Sequence, residues 1–387
     1  MTAPAARPIV IVGAGMAAYA VARELRKRDA AVPLLVVTGD AGGAYAKPML
    51  SNALAQGKGA AQLVSHSAAQ MAATLNAAVR AHTRVLAIDS AARSVATSAG
   101  PIDYASLVLA LGAEPIRLAL AGDAASEVLS VNNIDDYAVL RERLAAAGAG
   151  ARVAILGAGL IGCEFADDLA GAGHHVTLVD PNALPLAALA APSLSQGLAK
   201  AWEGAAIALR LGTTATAIER AGGALRVLLA DGSAVDADIV LSAVGLRPAT
   251  ALARAAGLAT RRGIVVDGFG QTSVAGIYAL GDCAEYGDDG VLPYVAPLLT
   301  AARAIAATLA GQPTPIALKA EAVIVKTPSY KLALSPPPRE VSGAWVDASD
   351  GERTVAHFVD AQGQLRGFGL SHHTPALRQA LLAALKA

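Results

Sequence analysis

The chain has 387 residues, 54% of them hydrophobic and 16% charged, with 31 basic and 31 acidic side chains. Such a chain can bury a large core, which excludes disorder, and its length suggests two or three domains. A net charge of zero gives no global field for nucleic acid or an anionic membrane surface, and two cysteines exclude a disulfide framework or a four-cysteine metal or iron–sulfur site.

Residues 1–7 lack the apolar core of a signal peptide, and no segment reaches the about 18 uninterrupted apolar residues of a membrane span. A cytoplasmic protein with no membrane span is expected. Pro8-Ile9-Val10-Ile11-Val12 reads as a strand, 16–28 as a helix and 34–38 as the next strand. A strand from Val108 ends in the turn Gly112-Ala113-Glu114-Pro115, and the pattern returns from Val240 to Gly245-Leu246-Arg247-Pro248. Between them lies a second strand–helix–strand run over 153–156, 160–172 and 175–180. Residues 205–237, with Asp231-Gly232 at a hairpin turn, read as antiparallel strands. After Gly311-Gln312-Pro313, strands over 323–325, 354–359 and 365–370 and an apolar helix over 375–386 suggest a small third domain. That helix is expected to pack on its own domain, since Arg378 and Lys386 are too few cations for a membrane anchor.

Two glycine-rich turns carry the chemistry. Gly13-Ala14-Gly15-Met16-Ala17-Ala18 follows the first strand, and Gly157-Ala158-Gly159-Leu160-Ile161-Gly162 follows Val153-Ala154-Ile155-Leu156. The first glycine of each permits a tight turn, the second lets backbone approach a pyrophosphate, and the small third residue lets helix and strand pack closely. The pyrophosphate then rests on the helix N-terminus. Two such turns imply two dinucleotides, and FAD with a nicotinamide nucleotide is the natural pair. Asp180 ends the strand after the second turn, at the place of the acid that binds the adenosine ribose. It repels the additional phosphate of NADPH, and Pro181-Asn182 supplies no arginine to receive one, so NADH is preferred. In the first unit the corresponding acid is displaced to Asp40.

The fold class is therefore α/β: two Rossmann-like domains, one inserted in the other, plus a small α+β C-terminal domain. The expected boundaries are 1–117 with 238–313 for FAD, 118–237 for NAD, and 314–387 for the C-terminal domain. Cys163 and Cys283 follow nucleotide motifs where a small side chain fits, and read as buried structural thiols.

The run Thr272-Ser273-Val274-Ala275-Gly276-Ile277-Tyr278-Ala279-Leu280-Gly281-Asp282 resembles the segment by which FAD-dependent pyridine-nucleotide oxidoreductases place an aspartate on the flavin ribitol. Four stretches are similar to bacterial rubredoxin–NAD reductases. They are Tyr45-Ala46-Lys47-Pro48-Met49-Leu50-Ser51, Gly112-Ala113-Glu114-Pro115-Ile116-Arg117, Gly159-Leu160-Ile161-Gly162-Cys163-Glu164-Phe165-Ala166 and Lys326-Thr327-Pro328. The resemblance spans essentially the whole chain. It implies that Asp282 binds ribitol, that Lys47 and Pro48 lie beside the flavin ring, and that Glu164 sits at the nicotinamide–flavin contact, close enough to pair with Lys47. Lys47 and Glu164 are the implied catalytic residues. Pro297 would open the helix 298–309, aiming its positive end at the flavin pyrimidine, where negative charge develops. With Gly13, Gly15, Met16, Ala17 and Asp40, the FAD site would include Val85, Gly112, Val295 and Lys326. The NADH site would comprise Gly157, Gly159, Leu160, Ile161, Glu164, Asp180 and Gly245. Read without the resemblance, Lys47 is equally a surface lysine before a proline turn, and Glu164 a first-turn acid favoured by the helix dipole.

The wider family divides by electron acceptor. Its disulfide reductases and peroxidases use cysteines near the flavin, and neither Cys163 nor Cys283 occupies such a place. The members that remain pass single electrons to a small iron protein. The resemblance thus implies an NADH-dependent flavoprotein reducing rubredoxin, for alkane hydroxylation or oxygen defence. A ferredoxin of an oxygenase system is the alternative acceptor; a peripheral NADH–quinone reductase and a non-enzymatic flavin/NADH redox sensor are alternatives of other classes. An acidic acceptor would be drawn to cations, and Lys47, Arg117, Arg303, Lys326, Lys331 and Arg339 are the candidates. Ser329-Tyr330-Lys331 departs from the rubredoxin-reductase pattern and could alter acceptor choice or shield the flavin. A monomer is expected, because the third domain shows no extended apolar surface.

Overall fold

A computed structural model describes residues 6–338, 340–351 and 353–385; Arg339 and Lys386 lie outside the described residues. Five helices position the candidate site: α1 (Met16–Arg26), α2 (Leu160–Gly171), α3 (Pro192–Ala201), α4 (Val295–Leu309) and α5 (Pro375–Ala384). The chain divides into two units. The first holds residues up to 47, 62–114 and 246–319; the second holds 48–61, 115–245 and the residues from 320 onward.

The first unit is built on a five-stranded parallel sheet. Its order is Ile277–Ala279, Ser106–Leu109, Ile9–Val12, Leu34–Val37, Ala78–Arg80. Ile9–Val12 and Leu34–Val37 are buried at every position, which is why they read as unbroken apolar runs and not as alternating ones. Helix α1 packs against α4. Ala17, Ala18, Ala20 and Ala22 on α1, with Ala301, Ala302, Ala304, Ala306 and Ala307 on α4, are all buried. The alanine surplus of the chain is thus used where helices approach closely. An antiparallel ribbon, Val85–Asp89, Ser94–Thr97 and Gly100–Asp103, is a further sheet of this unit.

The second unit carries a four-stranded parallel sheet, ordered Ile207–Leu211, His175–Asp180, Arg152–Leu156, Ile239–Ser242. Beside it Ala215–Ala221, Ala224–Leu229 and Ala234–Ala237 form an antiparallel sheet. The C-terminal part is a five-stranded antiparallel sheet, ordered Val323–Val325, Leu332–Ser335, Leu365–Ser371, Val355–Asp360, Gly343–Asp347. Helix α5 lays Leu377, Leu381 and Leu382 on its core of Ala333, Val355, Phe368 and Leu370. The apolar helix is thus spent on its own domain. Among the described residues no helix is long and apolar enough to cross a membrane.

Three expectations are corrected. Strand Ile239–Ser242 belongs to the inserted sheet, pairing in register with Arg152–Leu156, so the insert extends past 238 to Gly245. Strand Ile207–Leu211 is parallel and extends that sheet; the antiparallel part begins only at Ala215. Pro297 does not open α4: the helix begins at Val295, and Pro297 is its third residue, where a missing N–H is harmless. Residues from 320 onward pack closely on the rest of the second unit, with Leu194 of α3 in the space over Gly369.

Candidate functional site

Both glycine turns present a bare helix end. Gly13 has φ +110°, and a Cβ there would collide with the Ala110 carbonyl oxygen, so only glycine passes. Gly15 is the N-cap of α1, no side chain caps it, and nothing lies within 4 Å of where its Cβ would be. The first-turn N–H groups therefore have no side-chain acceptor, and the turn leaves room for an anionic group against them. The second turn repeats this. Gly157 has φ +106° and a Cβ would stand 2.7 Å from the Ala243 carbonyl oxygen. Gly159 caps α2 with no side-chain acceptor and open space beside it. Neither helix has an acid in its first turn by the glycine end before Glu164.

In the first unit the predicted residues gather at the C-terminal ends of the parallel strands. Gly281 has φ +74°, and its Cβ position lies 3.1 Å from Ala17 Cβ and 3.6 Å from Leu298 Cδ1. Asp282, the first glycine turn and the start of α4 are thereby brought together. Lys47 Nζ stands 3.9 Å from Asp282 Oδ2. The first turn of α4 carries Val295 and buried Pro297, with neither an acid nor a side-chain cap. Met16 and Val85 are half-buried against the same core, and Gly112 has φ +69° with its carbonyl taken by the Ala249 N–H at 3.0 Å. Asp40 Oδ1 accepts from Thr38 Oγ1 and the Gly42 N–H, both 2.8 Å, so this exposed acid first serves to close the loop after its strand.

In the second unit Asp180 is buried. Its Oδ2 accepts the Ala158 N–H at 2.7 Å, and its Oδ1 accepts both nitrogens of Asn182 at 2.8 Å. It braces the glycine turn, and a carboxylate's remaining lone pairs are available for a ribose hydroxyl. Gly245, φ +110°, accepts the Ile116 N–H at 3.0 Å. Leu160 and Ile161 form the first turn of α2, with Ile161 exposed.

Helix α2 presents three acids at positions i, i+3 and i+4, which share one face. Glu164 is fully buried; its Oε2 accepts from Ser51 Oγ at 2.6 Å and pairs with Lys326 Nζ, and its Oε1 accepts the Lys326 N–H at 3.0 Å. Asp167 accepts from Trp202 Nε1 at 2.9 Å and from the hydroxyl and N–H of Ser329. Asp168 accepts the N–H groups of Ala53, Leu54 and Ala55, all 2.9 Å. Burial pushes the Asp168 carboxyl up from its ordinary range, and those three hydrogen bonds oppose it.

Lys47 has a salt bridge with Asp282 in the first unit, and Glu164 has one with Lys326 in the second, where strand Val323–Val325 ends by delivering Lys326 to the helix start. Tyr330, the departure from the pattern, packs inside its own domain. It is buried, donates to Thr354 Oγ1 at 3.2 Å and meets the His372 ring edge-on at 5.3 Å. Of the candidate acceptor cations, Arg117, Arg303 and Lys331 are exposed, whereas Lys47 and Lys326 are engaged in ion pairs. Ser51, Asp167 and Asp168 were not foreseen; the spacing of Glu164, Asp167 and Asp168 was their one visible signal. Cys163 and Cys283 are both free and buried, and burial pushes the Cys283 thiol up to about 11. The Cys163 thiol is pushed up still further by the same cause. Among the described residues no cluster could hold a metal ion.

Comparison with known proteins agrees with this construction. Residues 7–307 match the family described as pyridine nucleotide-disulphide oxidoreductase, and residues 315–385 match the rubredoxin binding C-terminal domain. The chain is similar to the rubredoxin–NAD(+) reductase of Alcanivorax borkumensis, with 41% identity covering 94% of each chain. It is also similar to the nitric oxide reductase FlRd–NAD(+) reductase of Aeromonas hydrophila, with 40% identity covering 96% of each. Among solved structures it resembles the covalent putidaredoxin reductase–putidaredoxin complex, with TM-score 0.87 and 27% identity, covering 99% of this chain and 93% of that one.

Proposed function

The chain belongs to the pyridine nucleotide-disulphide oxidoreductase family, and from that premise we propose that it is an FAD-containing reductase that takes electrons from NADH and passes them to rubredoxin. The observation that carries the reading is the match of residues 315–385 to a rubredoxin-binding domain, in a chain with two uncapped glycine-turn helices. The thiol chemistry in the family's name has no counterpart in this chain, whose two cysteines are buried and held as thiols. A cytoplasmic location is part of the proposal, since NADH is supplied there.

The residues around the first turn fit FAD. The N–H groups following Gly13 and Gly15, with Met16 and Ala17, would hold its pyrophosphate, Asp40 its adenosine ribose and Asp282 its ribitol. Lys47 and Pro48 would flank the ring, and Val85 and Gly112 would line the pocket. The bare N-terminus of α4 at Val295 and Pro297 would favour negative charge on the pyrimidine side. When bound, FAD supplies the conversion of a two-electron donor into single electrons. In the second unit, Gly157, Gly159, Leu160 and Ile161 would receive the NADH pyrophosphate, Asp180 the adenosine ribose, and Gly245 would border the nicotinamide. Glu164, its charge balanced by Lys326, would orient the nicotinamide without trapping it. The exposed Arg117, Arg303 and Lys331 give an acidic iron protein something to meet, through the small interface usual for electron-transfer encounters.

The test is NADH-driven reduction of cytochrome c by FAD-loaded protein, with rubredoxin, with ferredoxin, and with neither. A large increase with rubredoxin alone supports the proposal. Stimulation by ferredoxin alone would move the assignment to the second reading, which the likeness to the putidaredoxin reductase complex favours.

A further inference from the structure

Residues 50–57 form successive turns and bends with no helix or strand among them, yet Ser51, Ala53 and Leu54 are buried. Such a segment has to place its backbone donors somewhere. Asp168, 4% exposed on the third turn of α2, takes three consecutive N–H groups at 53–55. Burying a carboxylate so deeply is costly unless it is fully hydrogen-bonded, and here its partners come almost wholly from one stretch of backbone. Further along α2, a Cβ on Gly171 would approach Ala55 Cβ to 3.2 Å, so helix and segment are seated closely. Beyond it the Tyr137 hydroxyl donates to the Lys58 carbonyl at 2.9 Å.

The anchored stretch continues directly from the 3₁₀ turn Lys47–Met49, and it includes Ser51, whose hydroxyl lies on Glu164 one turn before Asp168. We propose that Asp168 is a positioning residue: by gripping the backbone of 53–55 it sets where Ser51 meets Glu164 and holds the chain that leads from Pro48. The inference rests on the reading above, in which Lys47, Pro48 and Glu164 serve flavin reduction by NADH. Asp168 itself touches neither cofactor nor substrate in this account.

Asp168→Asn keeps the shape but turns an acceptor oxygen into a donor amide that faces backbone N–H groups. In the FAD-loaded protein, we expect hydrogen exchange to rise in the peptide covering 51–56 and to stay unchanged over both glycine turns. The rate constant for loss of oxidised-flavin absorbance on mixing with NADH should fall about ten-fold, the scale of a sub-ångström misplacement. FAD content and the KM for NADH should hold within about two-fold. Faster exchange at 51–56 with an unchanged reduction rate would make Asp168 a structural anchor only and overturn the proposal. Should that variant not fold, Asp168→Glu, which keeps the carboxylate but displaces it, carries the same test: faster exchange at 51–56 with slower flavin reduction supports the proposal, and faster exchange with an unchanged rate overturns it. If NADH fails to reduce even the unaltered protein, the functional reading falls first, while the exchange result still reports the anchor.

Discussion

A Cβ placed on Gly197 would lie 2.6 Å from Cζ of Tyr330, so α3 can carry no larger residue where that ring packs. The ring cannot swing away freely, since its hydroxyl is bonded to Thr354 and its edge meets His372. Gly197→Ala would gain about 1 kcal/mol from helix propensity, but overpacking a buried site costs about 1–3 kcal/mol. We expect a net loss of about 1 kcal/mol by chemical denaturation. In a Tyr330→Ala background the same substitution should become neutral or stabilising. An unchanged cost there would mean that the two residues do not meet in solution.

Lys326 is the cation that neutralises fully buried Glu164. Lys326→Met should cost about 2–4 kcal/mol, the lower part of the range for breaking a buried pair, because the ammonium is partly exposed. Adding Glu164→Gln should recover most of that stability, since the uncompensated charge is then gone. If the double variant is no more stable than Lys326→Met, the ion pair is not what Lys326 contributes.

Under the proposed function Asp180 would have two duties, bracing the glycine turn and receiving the adenosine ribose, and they separate by cofactor. Asp180→Ala frees the Ala158 N–H and removes the negative charge opposing NADPH. The ratio of kcat/KM for NADH over NADPH should fall about ten-fold or more, equivalent to at least about 1.4 kcal/mol. Use of NADH itself should weaken as well, because the glycine turn loses its brace. A ratio that stays constant would remove Asp180 from cofactor selection.

Burial pushes the Tyr137 hydroxyl from 10 up to about 12, and Tyr19 up to about 12 by the same first cause. A group whose pKa is raised by folding contributes stability below its unfolded value and loses it as pH rises through the folded one. Stability should therefore decline between about pH 10 and about pH 12. Tyr137→Phe should cost about 1 kcal/mol near neutrality, where Lys58 loses its donor. It should also flatten the alkaline decline by up to one proton's worth of slope. Equal slopes for the two proteins would contradict burial of this hydroxyl.

Both glycine turns and the strands leading into them were legible because their signal is local: an apolar run, a glycine spacing, a helix start. The run Ile239–Ser242 was equally legible as a strand, but not its sheet, since that depends on register with Val153 some distance back in the chain. The partners of Glu164 were hidden for the same reason. Nothing near Lys326 or Ser51 in sequence announces an acid on α2. The three N–H groups on Asp168 left no trace in side chains at all, because the donors are backbone. Tyr330 read only as a departure from a pattern, and the neighbouring Gly197 shows why it is inside.

The order of the first parallel sheet has a consequence for synthesis. Strand Ser106–Leu109 pairs on one side with Ile9–Val12, made early, and on the other with Ile277–Ala279, which leaves the ribosome about 170 residues later. At translation rates of about 5–20 residues per second, that edge stays unpaired for roughly 10–30 s. Throughout that interval a buried-type apolar strand offers open backbone to any other nascent chain, the condition that invites edge-to-edge aggregation. A transcript truncated ahead of residue 277 would make the exposure permanent, so fragments of this chain are poor candidates for recombinant expression.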